Sequence, residues 1–275
     1  MTLLKEIFAN KHTEVEAQKR YVPLNDLVRQ IDSLCLPLDF VAALKGTPHP
    51  PALIAEVKMK SPSKGLLAPN FDPVSLAKIY AANGASAISI LTDEKYFGGA
   101  LAHLQQIAKL NLGVPLLRKE FIWDDYQIYE ARANGASAVL LIVAMLVDDK
   151  LRSLKHLICE LGMSALVEVH TRSELDRALN CGASLIGINN RDLHTFNVSL
   201  DVTRTLRPLI PSHITVVAES GIRSREDVTE LNVNAILVGE AIVRAGNVAE
   251  KVRELSGQLV GATPSGASPL LNQNI

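Results

Sequence analysis

Two near-copies, ANGASAISIL at residues 82–91 and ANGASAVLLI at residues 133–142, with a looser third, NCGASLIGIN at residues 180–189, set the rhythm of this chain. Each begins where a helix-like segment stops and ends as a short apolar run. The glycine takes the left-handed conformation that closes a helix, and the small residues behind it let the next strand enter tightly. The repeat is a structural joint, with no chemistry of its own. Outward from these joints, apolar runs bounded by Gly, Pro or Asn give eight strands, at 53–57, 87–91, 115–119, 138–142, 165–169, 185–189, 215–219 and 235–239. They are apolar on both faces, as parallel strands between a barrel interior and a helical shell are. Helix-like segments such as 73–83, 124–134 and 172–181 lie between them, so the order is β then α, repeated.

Eight such units in 275 residues, near the length of about 250 typical of the fold, indicate the α/β class and a single (β/α)8 TIM barrel. No G-x-G-x-x-G or G-x-x-x-x-G-K-[ST] loop follows the first strand, which argues against an open doubly wound sheet. Residues 1–48 precede the barrel. Leu3, Leu4 and Ile7, then Leu24, Leu27 and Ile31, recur at helical spacing and suggest two amphipathic helices that cap one end. The barrel spans 49–259, and the Gly-, Ser-, Pro- and Asn-rich segment 260–275 reads as a disordered tail.

Composition narrows the function. A formal net charge of -1, with no basic block, lacks the electrostatic footprint of a nucleic-acid binder. Cys35, Cys159 and Cys181 form no C-x-x-C, and the histidines show no metal-ligand spacing, so neither a disulfide framework nor a metal is expected. The first twenty residues interleave acids and lysines where a secretory signal would be apolar, and the longest apolar run, 139–147, is too short to cross a bilayer. A cytoplasmic protein without membrane contact is expected.

In a barrel, catalysis is assembled from residues at the C-terminal ends of strands and the loops behind them. Here strand one ends in Glu56-Val57-Lys58, strand three in Arg118-Lys119-Glu120, strand five in Glu168, strand six in Asn189-Asn190-Arg191 and strand seven in Glu219-Ser220-Gly221. Any one could be a solvated strand end. Together they predict an acid-base cluster at one mouth, with Glu56 and Lys58 on one face of their strand and Asn189 and Arg191 on one face of theirs. Ser220 and Gly221 after strand seven, and Gly239 and Glu240 after strand eight, fit a phosphate-gripping pair of loops, to which Ser61 in the segment Ser61-Pro62-Ser63-Lys64-Gly65 adds a hydroxyl. Glu240 is expected to bind through its amide and to turn its carboxylate away.

The runs IAEVKMKSPSKG (54–65), ILTDEKYFGG (90–99), LLRKEFI (116–122), LVEVH (166–170), IGINNRDLHTF (186–196), VAESGI (217–222) and LVGEAIVRA (237–245) resemble indole-3-glycerol-phosphate synthase in order and spacing. The resemblance covers nearly everything from about residue 3 to 255, with Glu120 where many members carry Asp. It implies a small phosphorylated aromatic-amino-sugar substrate, 1-(2-carboxyphenylamino)-1-deoxyribulose 5-phosphate, closed to an indole with loss of carbon dioxide and water in tryptophan biosynthesis. It also implies no cofactor and an N-terminal extension over the catalytic face. By resemblance Lys119 is the general acid, Glu168 the general base, Lys58 the partner of the substrate carboxylate, and Glu56 the group orienting the lysines. Asn189 and Arg191 position substrate, and Glu219 completes the charge network. Ser61, Ser220, Gly221, Gly239 and Glu240 map onto the phosphate site. Leu237, Phe97, Phe121, Leu193 and Phe196 are expected against the substrate, the aromatic residues and Leu193 as an aryl slot. Acid catalysis near neutrality favours a lysine pKa lowered by neighbouring cations and burial, and that is the expectation for Lys119. A phosphoribosylanthranilate-isomerase-like barrel needs a cysteine and aspartate pair, and none of the three cysteines sits at a strand end. A barrel kept only as a binding scaffold has no physical need for these ionisable groups. The chain is expected to act as a monomer or weak homo-oligomer.

Overall fold

A computed structural model describes residues 3–192 and 195–258. Eight parallel strands close into a barrel: β1 Ala52–Val57, β2 Ala87–Leu91, β3 Leu116–Lys119, β4 Ala138–Ile142, β5 Ser164–Val169, β6 Leu185–Asn189, β7 Thr215–Glu219 and β8 Ala235–Val238. Each pairs with its sequence neighbours, and β1 pairs with β8 to shut the ring. Every strand expected from the sequence is present, with ends shifted by at most one residue. The intervening helices include α4 Pro73–Ala82, α5 Glu94–Phe97, α6 Leu101–Ala108, α7 Asp125–Ala133, α8 Asp148–Glu160 and α9 Arg172–Asn180; α4, α7 and α9 start on side-chain caps from Asp72, Asp124 and Thr171, which satisfy amides left open in the first turn. The joints behave as read: Gly84, Gly135 and Gly182 all have positive φ just after a helix.

Strand alternation sorts the apolar residues into two layers. One set, including Ala55, Val57, Ile88, Val139, Val167 and Ile186, packs outward against the helices. The other, including Ala52, Ile54, Ala87, Leu117, Leu140, Leu166 and Leu237, fills the barrel interior. The inward phase, followed to the C-terminal ends, arrives at Glu56, Lys119, Glu168, Asn189 and Glu219. One geometric period therefore aims them all into a single mouth.

The N-terminal segment departs from the two-helix expectation. It forms α1 Leu3–Tyr21, α2 Leu24–Asp32 and a third helix, α3 Phe40–Lys45, capped by the Asp39 side chain. Phe40 and Leu44 are fully buried with the alanines that open the strands, Ala52, Ala87, Ala138 and Ala235, so α3 plugs the bottom of the barrel. At six residues it shows too little periodicity to be read from sequence. The extension thus meets both ends, because α1 lies over the opposite rim: Ile7 lines the mouth, and buried Lys11 pairs with Asp93 at 2.9 Å and Glu120 at 3.1 Å, just past β2 and β3. Between them, α2 packs on α7, where Leu27 of α2 and Val15 of α1 form one apolar cluster with Tyr126 and Ala133. The side chains of Leu3 and Leu4, and the tail expected over 260–275, lie outside the described residues. Among the described residues no helix is long and apolar enough to cross a membrane.

Candidate active site

The mouth holds a cleft of about 910 Å³, at the upper end of the size that takes small organic ligands. Buried Glu168 and Glu219 flank Lys119 at its floor: the Lys119 ammonium donates to Glu168 Oε2 at 3.0 Å and to Glu219 Oε2 at 2.8 Å. Glu56, also buried, accepts from Lys58 at 2.9 Å. Two interior glycines make room for these carboxylates. A Cβ at Gly187 would collide with Glu219, and one at Gly239 would sit 2.5 Å from Glu56 Oε1.

Aromatic and anion-binding features surround the cluster. Phe97 and Phe121 stand with ring centroids 6.0 Å apart, and the Lys58 ammonium lies 5.5 Å from the Phe97 ring, within cation–π range. Ser61, in a hairpin of Lys60–Ser61 with Gly65–Leu66, presents a buried hydroxyl with no hydrogen-bond partner among the described residues. Ser220 and Gly221 are consecutive left-handed residues after β7, with φ 65 and φ 82, and both line the cleft beside Gly239 and Glu240. The Glu240 carboxylate turns towards cations, 3.4 Å from Arg244 and 3.9 Å from Arg191. Arg191 also donates to Ser63 and to the Phe196 carbonyl, while its amide is held by Asn189 Oδ1 at 3.0 Å. Leu237 and Phe196 line the same cleft, and Leu193 lies outside the described residues.

A family model for indole-3-glycerol phosphate synthase matches residues 4–255. The chain belongs to the indole-3-glycerol phosphate synthase family. An indole-3-glycerol phosphate synthase of Dehalococcoides mccartyi (strain ATCC BAA-2266 / KCTC 15142 / 195) is 51% identical over 259 residues, 92% of this chain and 99% of the relative. One of Roseiflexus castenholzii is 51% identical over 268 residues, 94% and 99% of the two. Among solved structures, 3-hexulose-6-phosphate synthase from Salmonella typhimurium superposes with a TM-score of 0.60 at 14% identity, covering 75% of this chain and 97% of that one. At that identity the likeness concerns the fold.

The electrostatics of this floor hold one correction. Lys119 was expected to titrate low, and it titrates high: burial opposes its charge, but Glu168, Glu219 and Glu56 outweigh burial and keep it protonated. Its neighbours are carboxylates, where cations had been expected. Burial would raise Glu168, yet Lys119, His170 and a hydrogen bond from Asn189 hold it down at about 2. Burial and the nearby Glu168 and Glu56 push Glu219 up to about 7 against the pull of Lys119. The two glutamates on one lysine are therefore unequal.

A stability consequence follows from that inequality. The part owed to protonated Glu219 is complete below the ordinary carboxylate range and is lost as pH rises through about 7. Glu219→Gln, a neutral isostere, is accordingly expected to gain thermal midpoint over the wild type from about pH 5 to about pH 8. A constant difference across that window, by calorimetry, would show that Glu219 ionises freely.

Not every polar strand end serves the mouth. Arg118 points outward, fully buried, to Glu130, Thr92 and the Gln127 carbonyl. Glu120 binds Lys11, Thr92 and the Phe121 amide, and Asn190 ties the Glu219 carbonyl to Thr203. These residues fall on the outward phase, which the sequence pattern gives once the strand ends are fixed. Sequence reasoning passed over Ile7, whose place in the cleft depends on how α1 docks, and Arg244, whose only local sign is its helical spacing from Glu240. Cys35 and Cys159 are exposed, and half-buried Cys181 ends α9 away from the strand termini. Among the described residues, no group of three His, Cys, Asp or Glu side chains is placed to hold a metal.

Proposed function

We propose that this chain closes the pyrrole ring of 1-(2-carboxyphenylamino)-1-deoxyribulose 5-phosphate to give indole-3-glycerol phosphate, carbon dioxide and water. The observation that carries the reading is a protonated lysine between two unequal glutamates, beneath an aromatic pair and beside two small-residue loops. The phosphate would take the amides of Ser220, Gly221, Gly239 and Glu240 with the Ser61 hydroxyl, and the aryl ring would lie against Phe97 and Phe121. Lys58 would pair with the carboxylate, and Asn189 and Arg191 would hold the substrate between these anchors.

Lys119 donates its proton to the ribulose carbonyl oxygen as the aromatic carbon attacks that carbonyl and the new carbon–carbon bond forms. A charge held high by three carboxylates makes the lysine a ready donor that is quickly reprotonated, and developing oxyanion charge draws the proton across. The carbon–carboxylate bond then breaks, leaving its electron pair in the ring. In the dehydration half Lys119, reprotonated, gives the former carbonyl oxygen its second proton, the carbon–oxygen bond breaks and water departs, and Glu168 accepts the ring-carbon proton whose loss restores aromaticity. The sequence is redox-neutral and calls for no redox cofactor. We place the reaction in the cytoplasm, performed by a monomer or weak homo-oligomer without nucleic acid or membrane.

The test is direct: purified protein, without added metal or nucleotide, should convert this substrate to a product with indole fluorescence. Binding without turnover would favour a scaffold. Lys58→Ala should weaken substrate affinity by roughly tenfold or more, the size of one charge-assisted hydrogen bond. Isothermal titration giving an unchanged affinity would rule that contact out.

A further inference from the structure

Glu168 meets a different partner at each oxygen. While Oε2 accepts from Lys119, Oε1 lies 3.4 Å from Nε2 of His170, which continues the inward phase two residues past it. That Nε2 is buried and completes no hydrogen bond, although it faces a carboxylate. The other side of the ring is clamped: Nδ1 lies 3.3 Å from Glu174 Oε2, and the same oxygen accepts the His170 backbone amide at 2.7 Å. Behind the ring is a second cleft of about 340 Å³, lined by His170, Thr171, Glu174, Asn189 and Ser199 among others. A line of carboxylate, imidazole and carboxylate thus runs from the floor of the mouth to this second cleft, which adjoins the mouth along Asn189, Arg191 and Asn197.

We propose that His170 is a positioning residue for Glu168 and the outlet for the proton Glu168 takes up, delivering it to the second cleft while substrate fills the mouth. The inference rests on Glu168 acting as base. As aromaticity is restored, a bond to hydrogen on the cyclised intermediate breaks, its electron pair stays in the ring, and the proton moves to Glu168. It passes from Oε1 to Nε2 of the neutral imidazole, and the resulting imidazolium gives up a proton to water in the second cleft, directly or through Glu174. Glu168 is then a carboxylate again, with one proton released to solvent and nothing oxidised or reduced.

The groups facing this ring are Glu168 from β5, Glu174 from α9 and Glu219 from β7, with Lys119 of β3 behind Glu168 and with Arg191 and Asp192 after β6 on the second cleft. Burial would lower the imidazole's pKa, and the three carboxylates together raise it. Because the relay accepts a proton only when neutral, turnover should rise with pH through that raised value.

His170→Gln keeps an amide near Nε2 to hold Glu168 but cannot carry the proton. It is expected to lose about tenfold or more in kcat with KM nearly unchanged, to lose the acid limb of the pH profile, and to recover turnover with added imidazole. Glu174→Gln, which leaves the imidazole in place without its raising partner, should move the acid limb to lower pH. Wild-type kcat and acid limb in His170→Gln would overturn the relay, as would a loss that imidazole does not restore. Should that variant fail to fold, an unmoved limb in Glu174→Gln overturns it equally. Glu168→Gln separates the two readings: if it retains turnover, the base assignment fails, whereas an inactive Glu168→Gln beside a fully active His170→Gln removes only the relay.

Discussion

Lys119→Met is expected to lower kcat by about 10³-fold or more while leaving phosphate-dependent product binding within a few-fold of wild type. A positioned general acid contributes roughly 10²–10⁴, and here the substitution also removes the shared partner of two buried carboxylates, Glu168 at 3.0 Å and Glu219 at 2.8 Å. Without the ammonium, like charge across a dry floor drives at least one glutamate to take up a proton, so the base and its partner change state together. The variant therefore loses the acid and misplaces the base. The loops carrying Ser220, Gly221, Gly239 and Glu240 come from other strands and keep their geometry, which is why binding survives. Steady-state fluorescence and a product titration on the same sample check both halves. Near wild-type turnover would reassign the acid.

Lys11→Met is expected to cost about 3–5 kcal/mol of stability, the scale of a buried ion pair broken on one side. The Lys11 ammonium is enclosed at a side-chain exposure of 5%, and Asp93 and Glu120, its partners besides Glu14, are at 0% and 3%. Burial opposes its charge, but Glu120 and Asp93 raise its pKa well above the ordinary lysine value. Those two acids also cap the Phe97 turn and hold the Phe121 amide, so loosening them should raise KM as well. Lys150→Met supplies the contrast. Its pair with Asp125 is as short, at 2.8 Å, but the two side chains are 33% and 57% exposed, so water screens the pair and less than about 1 kcal/mol is expected. Thermal melts of the two variants showing equal losses would contradict the claim that α1 is pinned by desolvated charge.

The strands were legible because their run of Val, Ile, Leu and Ala is long enough to bury on both faces and is punctuated by glycine joints. The mouth was legible for a related reason: a polar residue that ends an apolar run in the inward phase has nowhere to point except the barrel axis, as at Glu56, Glu168 and Glu219. What the sequence withheld depends on contacts distant along the chain. Arg118 and Lys119 are adjacent and both basic, yet one packs outward on Glu130 and the other inward on Glu168, and only the strand's phase separates them. The helix at Phe40–Lys45 is too short to carry a period, and the alanines that receive it look like ordinary strand residues until the barrel closes. The sign of the Lys119 shift was missed because pKa is set by whichever charges are brought within a few ångströms, and three of them come from other strands.

A crystal structure with the product bound shows whether acid, base, aryl slot and phosphate loops serve one ligand. Phosphate is expected on the amides of the loops after β7 and β8, the indole ring against Phe97 and Phe121, and Lys119 and Glu168 both within hydrogen-bond reach of the ring system. A product seated elsewhere, or one that leaves either Lys119 or Glu168 out of reach, would rule out a shared site.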